Sequence, residues 1–310
     1  MLRLVLVLLL ASPAVAPAVA QPLTLLRQTA GDVAFEMRVD TTATCPDAPT
    51  RLFARTDDAV TDCGSGRGVA VVWRGRDVDV LDTPMAWLGA EPDTTVEAAV
   101  AAAGDTGGPW PVERPAPARD LTDDGVPDVI LTTYSGGMHC CTTHWLVALA
   151  PDGPRTLARV EALDGQAEVA DLDGDGTAEW TLPDFSFAYW NESFAGSPAP
   201  TVVLAWDGER LAASPEHMRR TQLPDLPSAA DVRADDAWAA TRFPPTAYWA
   251  TLLDLLYAGR GAEAARFADE AWAGDAIGRT VFLRMLADRI WQSPYASAVA
   301  AMNADAVDWL

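Results

Sequence analysis

The feature that most constrains this chain is a nine-residue acidic run, Asp171-Leu172-Asp173-Gly174-Asp175-Gly176-Thr177-Ala178-Glu179. Carboxylates stand at loop positions 1, 3, 5 and 9, with a glycine at position 6. Four acids this close repel one another strongly unless a cation lies between them. The spacing suits a short loop wrapped round a hard cation. Alternate side chains turn inward, the glycine permits a sharp bend, and the backbone carbonyl of Thr177 adds an oxygen from position 7. A weaker copy begins 51 residues upstream: Asp120-Leu121-Thr122-Asp123-Asp124-Gly125-Val126-Pro127-Asp128. It has acids at positions 1, 5 and 9, Thr122 at 3, glycine again at 6 and the Val126 carbonyl at 7. The expectation is Ca2+ held by Asp171, Asp173, Asp175, Thr177 and Glu179, and more weakly by Asp120, Thr122, Asp124, Val126 and Asp128.

Each loop runs into an extended stretch, Val129 to Tyr134 after the first and Ala178 to Leu182 after the second. A loop-to-strand unit recurring at this period fits one blade of a β-propeller or a related repeat. At Asp171-Leu172-Asp173-Gly174-Asp175-Gly176 with Glu179, the chain resembles the calcium loop of FG-GAP (integrin α-type) and VCBS-like repeats. That resemblance implies an exported protein in which calcium braces neighbouring β-strands. It covers residues 115–215, and Thr122 departs from the pattern where an acid is usual. Position 12 of each loop is leucine, Leu131 and Leu182, where an EF-hand requires an acid, so these are not EF-hands. Two repeats are too few for a seven-bladed propeller, and a compact β domain containing both loops is the preferred reading.

The expected fold class is α+β. Mostly antiparallel β regions at the N-terminus and centre, propeller-like around the calcium loops, precede a C-terminal helical hairpin or bundle. Residues 1–20 read as a secretory signal, with Arg3, an apolar run from Leu4 to Leu10, and Ala18-Val19-Ala20 as the cleavage site; cleavage after Ala16 is the alternative. Residues 21–106 form a small β-rich region with short runs at Val33–Val39, Arg51–Arg55, Val69–Trp73 and Asp77–Leu81. Arg74-Gly75-Arg76 turns a hairpin there, and a capped helix ends at Gly104. Gly64 to Gly68 is a turn, not a phosphate cradle. A proline-rich linker spans 107–119, and the β domain spans 120–222. In it Trp145–Ala150 turns at Pro151-Asp152-Gly153-Pro154 into Thr156–Ala162, and Thr201–Trp206 turns at Asp207-Gly208 into Glu209–Ala213 with a type I′ geometry. Leu223 to Pro227 is a second linker. Residues 228–310 form a helical domain, with apolar stripes at Trp249, Leu252, Leu253, Leu256 and Tyr257, then at Ala264, Phe267, Ala268, Ala271 and Trp272. A third helix runs from Ile277 to Ile290, and Ser293-Pro294 starts a fourth.

The chain carries 44 acids against 22 bases. Such a charge excludes phosphate backbones as partners and favours divalent cations. No membrane span is expected after signal cleavage, and the protein is expected to be secreted or periplasmic. Export permits disulfides among Cys45, Cys63, Cys140 and Cys141. Cys45–Cys63 is the simplest pair, and Cys140–Cys141 makes a vicinal bridge.

Two of the three histidines and two of the four cysteines gather in Ser135-Gly136-Gly137-Met138-His139-Cys140-Cys141-Thr142-Thr143-His144. The readings are the vicinal disulfide, a transition-metal site of His139, Cys141 and His144, or one thiol paired elsewhere with the other redox-active. The segment is also similar to stretches of uncharacterised exported bacterial proteins. Ser135 lacks the G-x-S-x-G setting of a nucleophile, and Asn191-Glu192-Ser193 is a glycosylation sequon only in a host that uses it. Phe185, Phe187, Tyr189, Trp190 and Phe194 either line a groove for sugar or peptide or, as the default, pack into the core.

The function expected from sequence is an exported, calcium-binding structural or binding protein without catalysis. Its partner is an extracellular or cell-surface protein or a carbohydrate. The alternatives are an exported metal- or thiol-dependent enzyme centred on His139, Cys140, Cys141 and His144, and an interaction module with an apolar groove between Tyr248 and Trp291.

Overall fold

Alternation of apolar and polar residues over short runs, broken by Gly, Asp and Pro, favours antiparallel strands ahead of the helices. The computed structural model describes residues 23–30, 33–39, 67–74, 76–78, 87–88, 119–134, 142–240 and 243–310. The signal segment, all four cysteines, Ser135, His139, the Arg51–Arg55 run and the helix expected before Gly104 lie outside the described residues.

Strands β1 (Leu23–Ala30), β2 (Val33–Val39), β3 (Arg67–Trp73) and β4 (Arg76–Val78) form a first antiparallel sheet. A second joins β5 (Trp87–Leu88), β6 (Asp128–Tyr134), β7 (Thr142–Ala150) and β8 (Gly153–Leu163). A third joins β9 (Glu168–Ala170), β10 (Glu179–Pro183), β11 (Thr201–Trp206) and β12 (Leu211–Ala213). In each sheet the four strands lie side by side in chain order. β1, β5 and β9 were not legible in the sequence.

Two turns follow their chemistry closely. Trp73 pairs with Arg76 across the β3–β4 turn, where Arg74 takes a left-handed φ of 48°. Ala150 pairs with Gly153, so β8 begins three residues before the expected Thr156. The Asp207-Gly208 hairpin differs from the expected two-residue turn. The Asp207 carboxylate accepts from the backbone N–H groups of Glu209 and Arg210, which holds both residues in the loop and delays β12 to Leu211.

The helices are α1 (Pro215–Arg220), α2 (Ala229–Arg233), α3 (Ala237–Ala240), α4 (Thr246–Tyr257), α5 (Gly261–Glu270), α6 (Ala276–Ile290) and α7 (Ala296–Asn303). α1 is unanticipated. Ser214 caps it, Pro215 occupies its first turn, and Met218 is wholly buried. The last helix starts at Ala296 and not at Pro294; Ser293 Oγ accepts from the Tyr295 N–H at 3.0 Å and donates to Asp184 at 2.6 Å, in a turn ahead of the helix.

The architecture is therefore α+β, antiparallel sheets followed by a helical C-terminal part. One continuous core links them, from Leu121, Leu146, Trp180 and Val203 through Met218 to Trp249, Leu256 and Ile290. Asp184 ties the joint: buried after β10, it accepts from Tyr257 Oη at 2.5 Å and Ser293 Oγ at 2.6 Å. The aromatic run after the second loop serves mainly the same joint. Phe187 is fully buried against Tyr257, and Trp190 meets Phe243, Trp249 and Phe282 edge-on or tilted. Only Tyr189 of the five is largely exposed. Tyr248 and Trp249 are wholly buried, so the helices close over the side of the expected groove that they would line. Among the described residues no helix is long and apolar enough to cross a membrane.

Candidate metal centre

Both acidic runs fold as loops leading into strands, the first into β6 and the second toward β10, and they share one hydrogen-bond pattern. The position-1 carboxylate accepts from the N–H of position 6, Gly125 to Asp120 at 2.8 Å and Gly176 to Asp171 at 3.2 Å. The position-5 carboxylate accepts from position 7, Val126 to Asp124 and Thr177 to Asp175, at 2.8 Å in each loop. The position-9 carboxylate accepts from position 2, Leu121 to Asp128 at 2.9 Å and Leu172 to Glu179 at 2.8 Å. Gly125 and Gly176 adopt φ of 82° and 99°, a left-handed conformation that explains the glycine at position 6. Position 4 is left-handed as well, as Asp123 in one loop and Gly174 in the other.

The loops are neighbours in space. The N–H of Ala178 donates to the carbonyl of Leu121 at 3.1 Å, so the second loop is bonded to the first, and Leu121 and Ala178 are both buried at the junction. Arg119 and Asp128 exchange backbone hydrogen bonds that close the base of the first loop. A cation in either loop would therefore stiffen the contact between the second and third sheets.

The position-9 acids are buried and the others face outward. Asp128 is fully buried, and Glu179 is 1% exposed. Asp128 Oδ2 also accepts from Thr122 Oγ1 at 3.2 Å, while its Oδ1 is buried with no hydrogen-bond partner among the described residues. Burial pushes the Asp128 carboxyl up from its ordinary value, and the charges of Asp124 and Asp120 add to the shift against the backbone and Thr122 hydrogen bonds. A buried, unpaired carboxylate oxygen is the kind of atom that a cation satisfies, and oxygen donors of this type suit calcium. In the second loop the side chains of Asp171, Asp173 and Asp175 bring an oxygen each within 4.8 Å of one another. Thr177 donates to Asp175 through both its hydroxyl, at 2.6 Å, and its N–H, and holds that carboxyl below its usual range. Of the sequence-picked acids, Asp171, Asp173 and Asp175 thus lie together and Asp173 also meets Glu179, whereas Asp120, Asp124 and Asp128 of the first loop form no such group.

Thr122 departs from the expected role. Its hydroxyl is turned to Asp128, so it acts on the position-9 carboxylate.

His144, the one histidine or cysteine of the His-Cys segment whose side chain is described, is a packed core residue. Nε2 accepts from the Ala167 N–H at 3.3 Å, which leaves the proton on Nδ1 to donate to Thr132 Oγ1 at 2.9 Å. Burial pushes its pKa down to about 4, and its ring stands edge-on to Trp180. With both nitrogens engaged, it is in position neither to bind a metal nor to serve as a base.

The residue missed by sequence reading is His217. It sits on α1, 38 residues beyond Glu179, and its Nε2 lies 3.3 Å from Asp173 Oδ2. Nothing in the spacing links the two. The one available signal was the Ser214-Pro215 start of a helix carrying the chain's third histidine.

No protein-family model and no solved structure matches the chain. It is 32% identical over 85 residues to an uncharacterised protein of Sinorhizobium fredii, covering 27% of this chain and 14% of that protein. It is 33% identical over 85 residues to a probable thylakoid lumen protein of Synechocystis, covering 27% of this chain and 25% of that one. The chain thus spans a quarter or less of the length of these curated relatives.

Proposed function

We propose that this is an exported, calcium-braced structural or binding protein without catalytic activity, in which the two acidic loops fasten the second sheet to the third. The observation that carries this reading is the shared wiring of two adjacent loops, with Asp128 Oδ1 buried and unpaired at the heart of one. Calcium would supply the positive charge that Asp120, Asp124 and Asp128, and likewise Asp171, Asp173, Asp175 and Glu179, otherwise lack. The FG-GAP and VCBS-like resemblance supports the same role. So does the strand plan, since a sequential four-stranded antiparallel sheet is the make-up of one propeller blade.

The protein is secreted or periplasmic on this reading. The name of one partial relative, which assigns it to the thylakoid lumen, points the same way, since that compartment is reached by crossing a membrane. The surface held rigid by the loops would serve an extracellular or cell-surface protein or a carbohydrate.

Thermal unfolding tests the calcium claim. A ligand bound only by the folded state at a hundredfold excess over Kd adds about 2.7 kcal/mol, which raises the melting temperature by roughly 5–10 °C. EDTA should remove that gain, and Asp173→Ala should diminish it. An unchanged melting temperature in both experiments rejects calcium bracing.

A further inference from the structure

His217 gives the second loop a nitrogen donor that an all-oxygen calcium ring does not need. Donor atoms of Asp173, Glu179 and His217 all lie within 4.8 Å of one another, with Glu179 buried, His217 partly buried and Asp173 exposed. The groups are held from behind. α1 is anchored by Met218, wholly buried, and Ser214 Oγ lies 2.9 Å from His217 Nδ1, which orients the ring. Glu179 has Oε2 bonded to the Leu172 N–H, leaving its other oxygen for a ligand. Asp173 has Oδ1 bonded to the Asp175 N–H at 3.2 Å, leaving Oδ2 turned to His217.

The second observation is His217 Nε2 itself. The side chain is 11% exposed, but Nε2 is fully buried and has no hydrogen-bond partner among the described residues. It is within ion-pair distance of Asp173 Oδ2, yet misaligned for a hydrogen bond. In the tautomer whose Nδ1–H donates to Ser214, Nε2 carries the lone pair, which a cation placed between it and the Asp173 carboxylate would take.

Resting on the reading of this loop as a cation site, we propose that Asp173, Glu179 and His217 form an inner site for a borderline first-row divalent cation of the zinc class. Imidazole nitrogen suits zinc, copper, iron and nickel, whereas calcium takes oxygen. Three protein ligands with a fourth position left to water is a zinc arrangement. Asp173 belongs to both donor sets, so the inner site and the outer ring of Asp171, Asp173 and Asp175 share one carboxylate. The first loop has no counterpart of His217 in these donor sets among the described residues.

The test is titration of the chelator-stripped, purified protein with Zn2+ and separately with Ca2+, read by calorimetry. Co2+ absorbance serves as a spectroscopic report of nitrogen ligation. Two variants separate the sites: His217→Gln, which keeps a polar side chain at the helix surface, and Asp171→Asn, which touches only the outer ring. The expected result is one Zn2+ site whose affinity falls tenfold or more in His217→Gln and changes less than threefold in Asp171→Asn, with Ca2+ showing the opposite pattern. The Co2+ spectrum should lose its His217-dependent band. Zinc affinity and Co2+ spectrum unaltered by His217→Gln overturn the inner site, as they would if the cysteine segment held the zinc. Calcium binding without zinc binding overturns the inner site and leaves the calcium reading standing. Binding of neither ion removes both.

Discussion

Replacing Asp128 by asparagine is the perturbation whose sign depends most on calcium. In chelator the wild-type carboxylate is fully buried, with Oδ2 bonded to the Leu121 N–H and Thr122 Oγ1 and Oδ1 bonded to nothing described. An asparagine of the same shape keeps an oxygen for both donors and removes the charge that Asp124 and Asp120 oppose. A buried acceptor left unpaired costs about 1–3 kcal/mol. Asp128→Asn should therefore stabilise the chelated protein by about 1–2 kcal/mol, or roughly 3–6 °C in melting temperature. In saturating calcium the order should reverse, because the variant loses a charged ligand that the cation was neutralising. The assay is calorimetric unfolding of both proteins at neutral pH, with EDTA and with excess calcium. The reasoning is refuted if asparagine is the less stable residue in EDTA, or if the ranking is the same in both conditions.

Two further substitutions probe the frame that holds the loops. Asp184→Ala removes the shared acceptor of Tyr257 and Ser293 and leaves their buried hydroxyls only the weak 3.3 Å bond between them, so denaturant unfolding should show a loss of about 2 kcal/mol; a loss under 1 kcal/mol contradicts the role given to this joint. Asp254 on α4 has its carboxyl pushed up to about 6 by burial. Its folded value lies above its unfolded one, so its contribution is full below about pH 4 and is lost as pH rises through about 6. Asp254→Asn should therefore raise stability at pH 8 by about 1 kcal/mol, allowing for partial solvent screening, and change nothing at pH 3.5; an equal effect at both pH values counts against burial as the cause.

The parts of the candidate metal centre that are local in sequence were legible from it. Asp120, Asp124, Asp171 and Asp175 close their own loops through backbone N–H groups two to five residues away, so spacing alone brings them together. The strands leaving the loops were legible for the same reason, through apolar runs such as Val129 to Tyr134. What spacing cannot encode is contact between distant segments. The bond from Ala178 to Leu121 that sets the loops side by side depends on how the second and third sheets pack. The six-residue helix α1 is too short to show helical periodicity, and its capping serine and proline were its one mark. His217 went unread with it. His144 illustrates the opposite error, since clustering with His139, Cys140 and Cys141 suggested chemistry whereas its ring nitrogens serve Thr132 and Ala167 in the core.

The central claim is that the two adjacent loops exist to hold calcium. Calorimetric titration of Ca2+ into chelator-stripped protein at neutral pH tests it most directly. The account predicts saturable binding to two sites, the tighter one abolished by Asp173→Ala and the weaker one by Asp128→Ala. Absence of heat and of any calcium retained after gel filtration, at calcium concentrations up to the millimolar range of extracellular calcium modules, contradicts it.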